Sequence, residues 1–283
     1  TVARPGVDRS LRSRRQAGHT STRRRNRDLM FLSHLPARTT DVPNHAIILA
    51  AGRGKRMLPL TERIPKPLLV ISGQSVLGRT VDHLRDAGVG KTVINASHLA
   101  GKIADFVTEL GDAQVVLSAE DEPLETGGGV VRALPLLGLN PFYVINGDSV
   151  WIDGMKSPLL RLAESWDPDR MDVLLMLMPI ARVPNFGGLG DFTMDQDGRL
   201  ERRQEAVVAP YAYMGLSIIN PTLLKGAPEG AFSLNWLYDR AAELGRLFGV
   251  LHDGLWYHIS TPEDLEVART RFANGHAPAV PFF

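Results

Sequence analysis

The run Ala46-Ile47-Ile48-Leu49-Ala50-Ala51 ends abruptly at Gly52-Arg53-Gly54-Lys55-Arg56, and this change constrains the fold more than any other stretch. A short, β-branched, apolar run bounded by turn residues reads as a buried strand. Gly52 and Gly54 let the backbone bend and approach a ligand closely. Arg53, Lys55, Arg56 and Lys66 put four cations within fourteen positions. Pro65 and Pro67 stiffen the backbone on both sides of Lys66. Long cations on a stiff segment, next to bare N–H groups, suit a polyphosphate. The glycines alone have a second reading, a tight turn with solvated basic side chains. They do not form a P-loop, because the four-residue gap and the hydroxyl after Lys are missing, and Met57 stands where a dinucleotide fingerprint has its third glycine.

From residue 45 onward, strand and helix patterns alternate. Strands are predicted at 45–51, 91–96, 114–118, 141–147 and 171–179, and helices near 75–88, 99–110 and 128–137. This rhythm predicts an α/β fold, a Rossmann-like, mostly parallel sheet with helices on both faces. Ligands of such sheets bind beyond the carboxyl ends of the strands, where the Gly52 loop, the Asn95 region and the Asp148 turn all fall. Residues 185–220 read as shorter strands of a substrate lid or small side sheet. Ser233 to Leu244 reads as a helix, and Thr261-Pro262-Glu263-Asp264 as the capped start of the last one.

Charge divides the chain. Residues 1–40 hold ten Arg against Asp8 and Asp28, a formal +8 that leaves −7 for the rest. Without hydrophobic periodicity, residues 1–44 read as a disordered basic tail. Its functional readings are a nucleic-acid or membrane-surface arm or a transit peptide; the bland one is a misassigned start, with Met30 nearby as the true one. Residues 45–273 then form the folded domain and 274–283 a loose C-terminal tail. No apolar run reaches eighteen residues, so no membrane span is expected. The absence of cysteine excludes disulfides, thiolate catalysis and Cys-ligated zinc, and fits a cytoplasmic setting.

Asp148 follows Asn146 and Gly147 at the end of a buried run, well placed to hold Mg²⁺ beside phosphates, or else to act as a turn or cap residue. Glu125-Thr126-Gly127-Gly128-Gly129 leads into a helix, and its N–H groups are candidates to line a base or sugar pocket. Asn95 can pair with either uracil or guanine. Asp191 and the Glu201-Arg202-Arg203 run are candidates for the sugar phosphate or, equally, a solvated hairpin.

Taken together, Leu49-Ala50-Ala51-Gly52-x-Gly54-x-Arg56-x-x-Pro59-Leu60-Thr61, Pro65-Lys66-Pro67-Leu68, Glu122-Pro123-Leu124-Glu125-Thr126-Gly127-Gly128-Gly129, Asn146-Gly147-Asp148, Gly190-Asp191-Phe192 and Trp256 resemble the sugar-1-phosphate nucleotidyltransferases over residues 45 to 273. Within them the likeness runs to N-acetylmuramate-1-phosphate uridylyltransferases and similar enzymes called mannose-1-phosphate guanylyltransferases. The resemblance implies an enzyme that joins a nucleoside triphosphate to a sugar 1-phosphate and releases pyrophosphate. UTP with N-acetylmuramate 1-phosphate is the favoured pair and GTP with mannose 1-phosphate the alternative. It implies that Arg56, Lys66 and Asp148 are catalytic and that Ala50, Ala51, Gly52, Arg53, Gly54, Lys55, Asn95, Leu124 and Gly127 border the nucleotide. It further implies that Glu125, Asn146, Asp191 and Arg202 face the sugar, and that Asp148 holds Mg²⁺. The family's second metal ligand is an acid or amide where this chain has His258, and Ser260 replaces a glycine. Imidazole suits Mn²⁺ better than Mg²⁺, so His258 is a candidate to bind the metal directly, to hold a metal-bound water or to contact the substrate phosphate, with a histidine of no role as the bland reading. That departure keeps open a non-catalytic subunit that binds sugar nucleotides. Partners are small molecules; neither a membrane nor a nucleic acid is expected.

Overall fold

The computed structural model describes residues 43–183 and 186–276. The basic tail, apart from its last two residues, and residues 277–283 lie outside the described residues. In chain order the elements are β1 (His45–Leu49), β2 (Val70–Ile71), β3 (Gln74–Ser75), α1 (Val76–Asp86), β4 (Lys91–Ala96), α2 (Ala100–Leu110), β5 (Val115–Ala119), α3 (Glu125–Leu137), β6 (Phe142–Asn146) and β7 (Ser149–Ile152). There follow α4 (Pro158–Ser165), β8 (Val173–Pro179), β9 (Phe192–Met194), β10 (Leu200–Arg202), β11 (Tyr211–Ile219), α5 (Asn235–Glu243), β12 (Leu247–Leu251), β13 (Leu255–His258) and α6 (Pro262–Ala273).

Strand side chains alternate between faces, and the core obeys this. Ile48, Tyr143, Ile145, Leu174 and Met176 pack with Leu77, Val81, Ile103, Leu159 and Leu162 from α1, α2 and α4 on one face. Ile47, Phe142, Val144, Val173 and Leu175 pack with Val130, Ala133, Leu237 and Ala241 from α3 and α5 on the other. The sheet is therefore covered on both sides, and its strands carry continuous apolar runs instead of an apolar–polar alternation.

The order β6–β1–β4–β5 is parallel throughout. Register sets Leu49 beside Asn95 on one side and Asn146 on the other, so three carboxyl ends finish level. Beyond β6 the sheet turns mixed, with β11 antiparallel to both β6 and β8 and β12 parallel to β8. Two small antiparallel sheets, β7 with β13 and β2 with β3, stand apart. A third apolar cluster, including Met57, Ile71, Val150, Tyr257 and Leu265, joins them to α6.

The short strands expected at 185–220 for a lid or side sheet include β9 and β10, but they are joined to the main sheet through β11. β11 is a nine-residue strand inside the main sheet, and β9 joins it at Tyr211–Phe192. Gly215, with φ of 78°, breaks the apolar alternation where the pairing with β8 shifts register. A glycine in a strand often marks such a bulge. Of the expected C-terminal tail, residues 274–276 are described. The Tyr257 hydroxyl lies 2.7 Å from His276 Nδ1, and the His276 ring packs on Phe272. Thr261 caps α6 as expected, with Asp264 completing a reciprocal capping box. Among the described residues no helix is long and apolar enough to cross a membrane.

His252 is buried behind β7, its Nε2 3.0 Å from the Ile152 carbonyl. Burial lowers its pKa, and bonds to the Ile152 and Leu255 backbone and the field of Asp253 and Asp153 only partly offset that. The folded chain thus binds this proton less readily than the unfolded chain, where histidine titrates near about 6.5. The resulting stability is fully present above about pH 6.5 and declines as pH falls through that value. Urea midpoints at pH 7.5, 6.5 and 5.5 should fall with pH. His252→Gln should flatten the dependence by the contribution of one proton; an unaltered slope would refute the assignment.

Candidate active site

The level strand ends build the floor of a cavity of about 540 Å³. Gly147 donates its N–H to the Leu49 carbonyl at 2.9 Å. A Cβ on Gly147 would stand 2.6 Å from that oxygen and 3.0 Å from Pro67 Cγ. Only glycine lets the Pro65-Lys66-Pro67 segment lie against the end of β6. Lys66 Nζ consequently donates to Asp148 Oδ2 at 2.5 Å. The lysine side chain is 12% exposed and the aspartate 40%, so the pair is partly shielded and open on the carboxylate side.

The loop after β1 forms the upper wall. Gly54 takes a left-handed conformation, φ 59°, and its carbonyl accepts from Thr61 Oγ1 at 2.9 Å. A Cβ there would meet Thr61 Cγ2 at 2.9 Å. Among the described residues, the N–H groups of Ala51, Gly52, Arg53 and Gly54 find no acceptor, and Arg53, Lys55 and Arg56 make no ion pair. Unengaged amides in a tight loop with free cations make an anion-binding concavity.

The back wall depends on a buried polar chain. Ala50 donates its N–H to Asn95 Oδ1 at 2.7 Å, and Asn95 Nδ2 donates to Glu120 Oε1 at 2.7 Å. Glu120 Oε2 accepts from the Leu124 N–H at 3.1 Å. Asn95 and Glu120 are 1% and 5% exposed. Gly129 makes room for them, since a Cβ there would sit 2.5 Å from Asn95 Nδ2.

The structure gathers Ala50, Ala51, Gly52, Gly54, Lys55, Arg56, Lys66, Asn95, Glu125, Asn146 and Asp148 around this one cavity. It does not bring the remaining candidates to its lining. Arg53 is exposed and does not line it. Leu124 and Gly127 lie behind the wall: both Gly127 and Gly128 donate their N–H groups to the Phe232 carbonyl, and the Phe232 ring packs where a Gly127 Cβ would be. The ring that Gly127 admits is thus the protein's own. Asp191 and Arg202 line a second, smaller cavity, because Asp191 accepts from the Tyr213 N–H and Arg202 pairs with Asp239.

His258 sits on β13 opposite Ser149 and feels, after burial as the largest cause lowering its pKa, the fields of Asp148, Lys66, Asp264 and Arg56. Its Nε2 is 2.8 Å from Ser260 Oγ, and Ser260 lines the cavity. Sequence reasoning missed Thr126, Ser233 and Glu120. Thr126 belongs to the quoted Glu-Thr-Gly-Gly-Gly motif. No spacing marks Glu120 as the partner of an asparagine twenty-five residues earlier.

The MobA-like NTP transferase domain matches residues 46–177. The N-acetylmuramate α-1-phosphate uridylyltransferase of Caulobacter vibrioides is 36% identical over 239 residues, which cover 83% of this chain and 99% of that protein. The mannose-1-phosphate guanylyltransferase of Mycobacterium tuberculosis is 25% identical over 243 residues, covering 83% of this chain and 66% of that one. A UDP-glucose pyrophosphorylase solved with UDP-glucose has the same fold at 17% identity and a TM-score of 0.69, over 82% of this chain and 99% of its own. The identity over nearly the whole length of the Caulobacter protein, together with the domain match, shows the chain to be a nucleotidyltransferase. This chain belongs to the sugar-1-phosphate nucleotidyltransferases with the MobA-like domain.

Asn95→Ala would leave the Ala50 N–H and one Glu120 oxygen without partners inside the protein. A loss of about 2–3 kcal/mol by urea denaturation is expected. A double-mutant cycle with Glu120→Ala should return a coupling of about 1–3 kcal/mol; additive losses would mean that the two side chains act independently.

Proposed function

We infer that this chain, through residues 45–273, transfers the uridylyl group of UTP to N-acetylmuramate 1-phosphate and releases pyrophosphate. The observation that carries the reading is the common cavity of Arg56, Lys66 and Asp148, supported by the 36% identity to a relative of that activity over nearly its whole length. An oxygen of the sugar phosphate attacks the α-phosphorus. The bond from that phosphorus to the oxygen bridging to the β-phosphate breaks, and pyrophosphate departs with the bonding electrons. The attacking phosphate is already ionised, so no general base is needed. The obstacle is repulsion between two anions, which calls for positioning and charge neutralisation.

Each group has a part consistent with its place. The unengaged amides of Ala51 to Gly54, with Lys55 and Arg56, hold the β- and γ-phosphates. The Lys66 ammonium rests on Asp148 in the free protein and is the cation nearest to where the two phosphates meet. Its ion pair is half-open, so an arriving phosphate can draw it away without leaving a buried charge alone. The donor set fits Mg²⁺ better than a caged metal. Asp148 Oδ1 has no protein partner among the described residues, and no group of three His, Asp or Glu there assembles around a common point. Mg²⁺ takes one or two carboxylates and fills the rest of its shell with phosphate and water. Asp148 would hold it, and when bound it supplies charge neutralisation at the α-phosphate. His258 would act through Ser260, which it contacts at 2.8 Å and which lines the cavity.

A pyrophosphate-release assay across four nucleoside triphosphates and a panel of sugar 1-phosphates tests the reading, with UTP and N-acetylmuramate 1-phosphate expected to be fastest. The guanylyltransferase similarity favours GTP with mannose 1-phosphate as the second reading, and that pair is part of the panel. Tight nucleotide binding without turnover by any pair would favour a regulatory subunit. Arg56→Ala and Lys66→Ala should each lower kcat/KM by about 10²–10³-fold, the scale of losing one preorganised charge contact. Unchanged rates would show that the reaction centre lies elsewhere.

A further inference from the structure

Asp148 is carried on a turn that is pinned on both sides. In the order β11–β6–β1, the strand that leads to this turn, β6, has a neighbour on either hand. The residue before Asp148 is tied to one neighbour: the Gly147 N–H donates to the Leu49 carbonyl of β1 at 2.9 Å. The residue after it is tied to the other: the Ser149 hydroxyl donates to the Met214 carbonyl of β11 at 2.7 Å. Ser149 is 5% exposed, so this bond is shielded from water.

β11 is shaped to receive this hydroxyl. Between Tyr213, opposite Leu177, and Ser217, opposite Leu175, three residues of β11 face Met176 alone. Met214 and Gly215 also lie outside the β11–β6 register, which begins at Leu216. A bulge re-aims the backbone and disrupts the ladder locally, and a buried carbonyl there needs a donor. Gly215 has φ of 78°, and a Cβ on it would stand 2.3 Å from Ser149 Oγ. Any side chain at that position would displace the hydroxyl. Ser149 also opens β7, where its register partner on β13 is His258. One buried side chain thus connects the bulge of β11, the Asp148 turn and the strand pair that carries His258.

We propose that Ser149 is a positioning residue of the reaction, its hydroxyl seated on the Met214 carbonyl so that the Asp148 carboxylate keeps one aim. The inference rests on the proposed reaction, in which Asp148 holds the divalent ion. Lys66 takes Oδ2 of that carboxylate. The lysine side chain is long and can follow Asp148 if the turn rotates, so the ion pair alone does not fix the direction of Oδ1. The two anchors, on β1 and on β11, do.

The test is UTP binding by calorimetry with and without Mg²⁺, beside the pyrophosphate-release assay. On the wild-type chain Mg²⁺ should tighten UTP. Ser149→Ala should bind metal-free UTP as the wild type does and lose most of the gain from Mg²⁺. Its kcat should fall about 10–100-fold, the scale on which groups that orient metal ligands act. Ser149→Cys, whose thiol is a weak donor, should fall between the two. In an Asp148→Asn background Ser149→Ala should cost no further binding, because the group it aims is gone. Should Ser149→Ala fail to fold, as a melting curve would reveal, Ser149→Cys carries the test. A gain from Mg²⁺ that survives in the folded variant, binding weakened equally with and without the ion, or a further loss in the Asp148→Asn background overturns the inference. The hydroxyl would then only satisfy a buried carbonyl. A wild-type chain that turns over UTP and the sugar phosphate but gains nothing from Mg²⁺ in binding overturns it while the reaction itself stands; a chain that turns over no pair overturns both.

Discussion

The hydrogen bond from the Gly147 N–H to the Leu49 carbonyl fixes the rest of the site. It continues the β1–β6 register by one step past the strand ends and so places Asp148 at a fixed height above the sheet. The same glycine admits Pro67, which carries Lys66 to within 2.5 Å of the carboxylate. An anion and a cation eighty-two residues apart therefore meet because a backbone lacks a methyl group. A rigid meeting point matters because the reaction gains its rate from geometry and charge, with no covalent intermediate on the protein.

Around that point the chain uses polar burial to hold a shape. Asn95 spends both ends of its carboxamide on Ala50 and Glu120. It is thus a strut between the glycine loop after β1 and the wall that begins at Leu124. Buried polar groups cost much when unpaired, so a fully satisfied chain of this kind favours one arrangement of the wall over its neighbours. Gly129 belongs to the same device, because any side chain there would strike both members. The glycine-rich stretch that looks like a ligand cradle in sequence divides its work: Gly127 makes room for the Phe232 ring, Gly128 for the Gly230 carbonyl, and Gly129 for the Asn–Glu pair.

The parallel half of the fold was legible from residues alone. Runs such as Ala46–Leu49 and Phe142–Ile145 are short, apolar and followed by helices with apolar faces, and this pattern has few solutions. The mixed half was not. β11 carries Gly215 at a bulge, so its alternation fails where a reader looks for it, and its partners β6 and β8 are remote in sequence. β7 and β13 are four residues each, too short for periodicity. In the site, Arg56, Lys66 and Asp148 were readable because each sits at a strand end or on a stiff turn. Asp191 and Arg202 were readable as polar residues near the sugar side, but not their cavity, which exists only because β9, β10 and α5 converge across long separations. Glu120 could not be read, since its role is to satisfy an asparagine that strand pairing brings to it.

The charge pattern of the site follows from its contents. Three cations, Lys55, Arg56 and Lys66, share the cavity lining with two carboxylates, Glu125 and Asp148. An acid in place of His258 would bring that balance closer to neutrality. Burial instead lowers the His258 pKa, and Ser260 takes its Nε2, so this wall favours a neutral pair and adds little negative charge. A lining with this excess of positive charge favours polyanions. The replacement of an acid by a His–Ser pair thus changes how the cavity balances charge and leaves intact its capacity to bring two phosphates together.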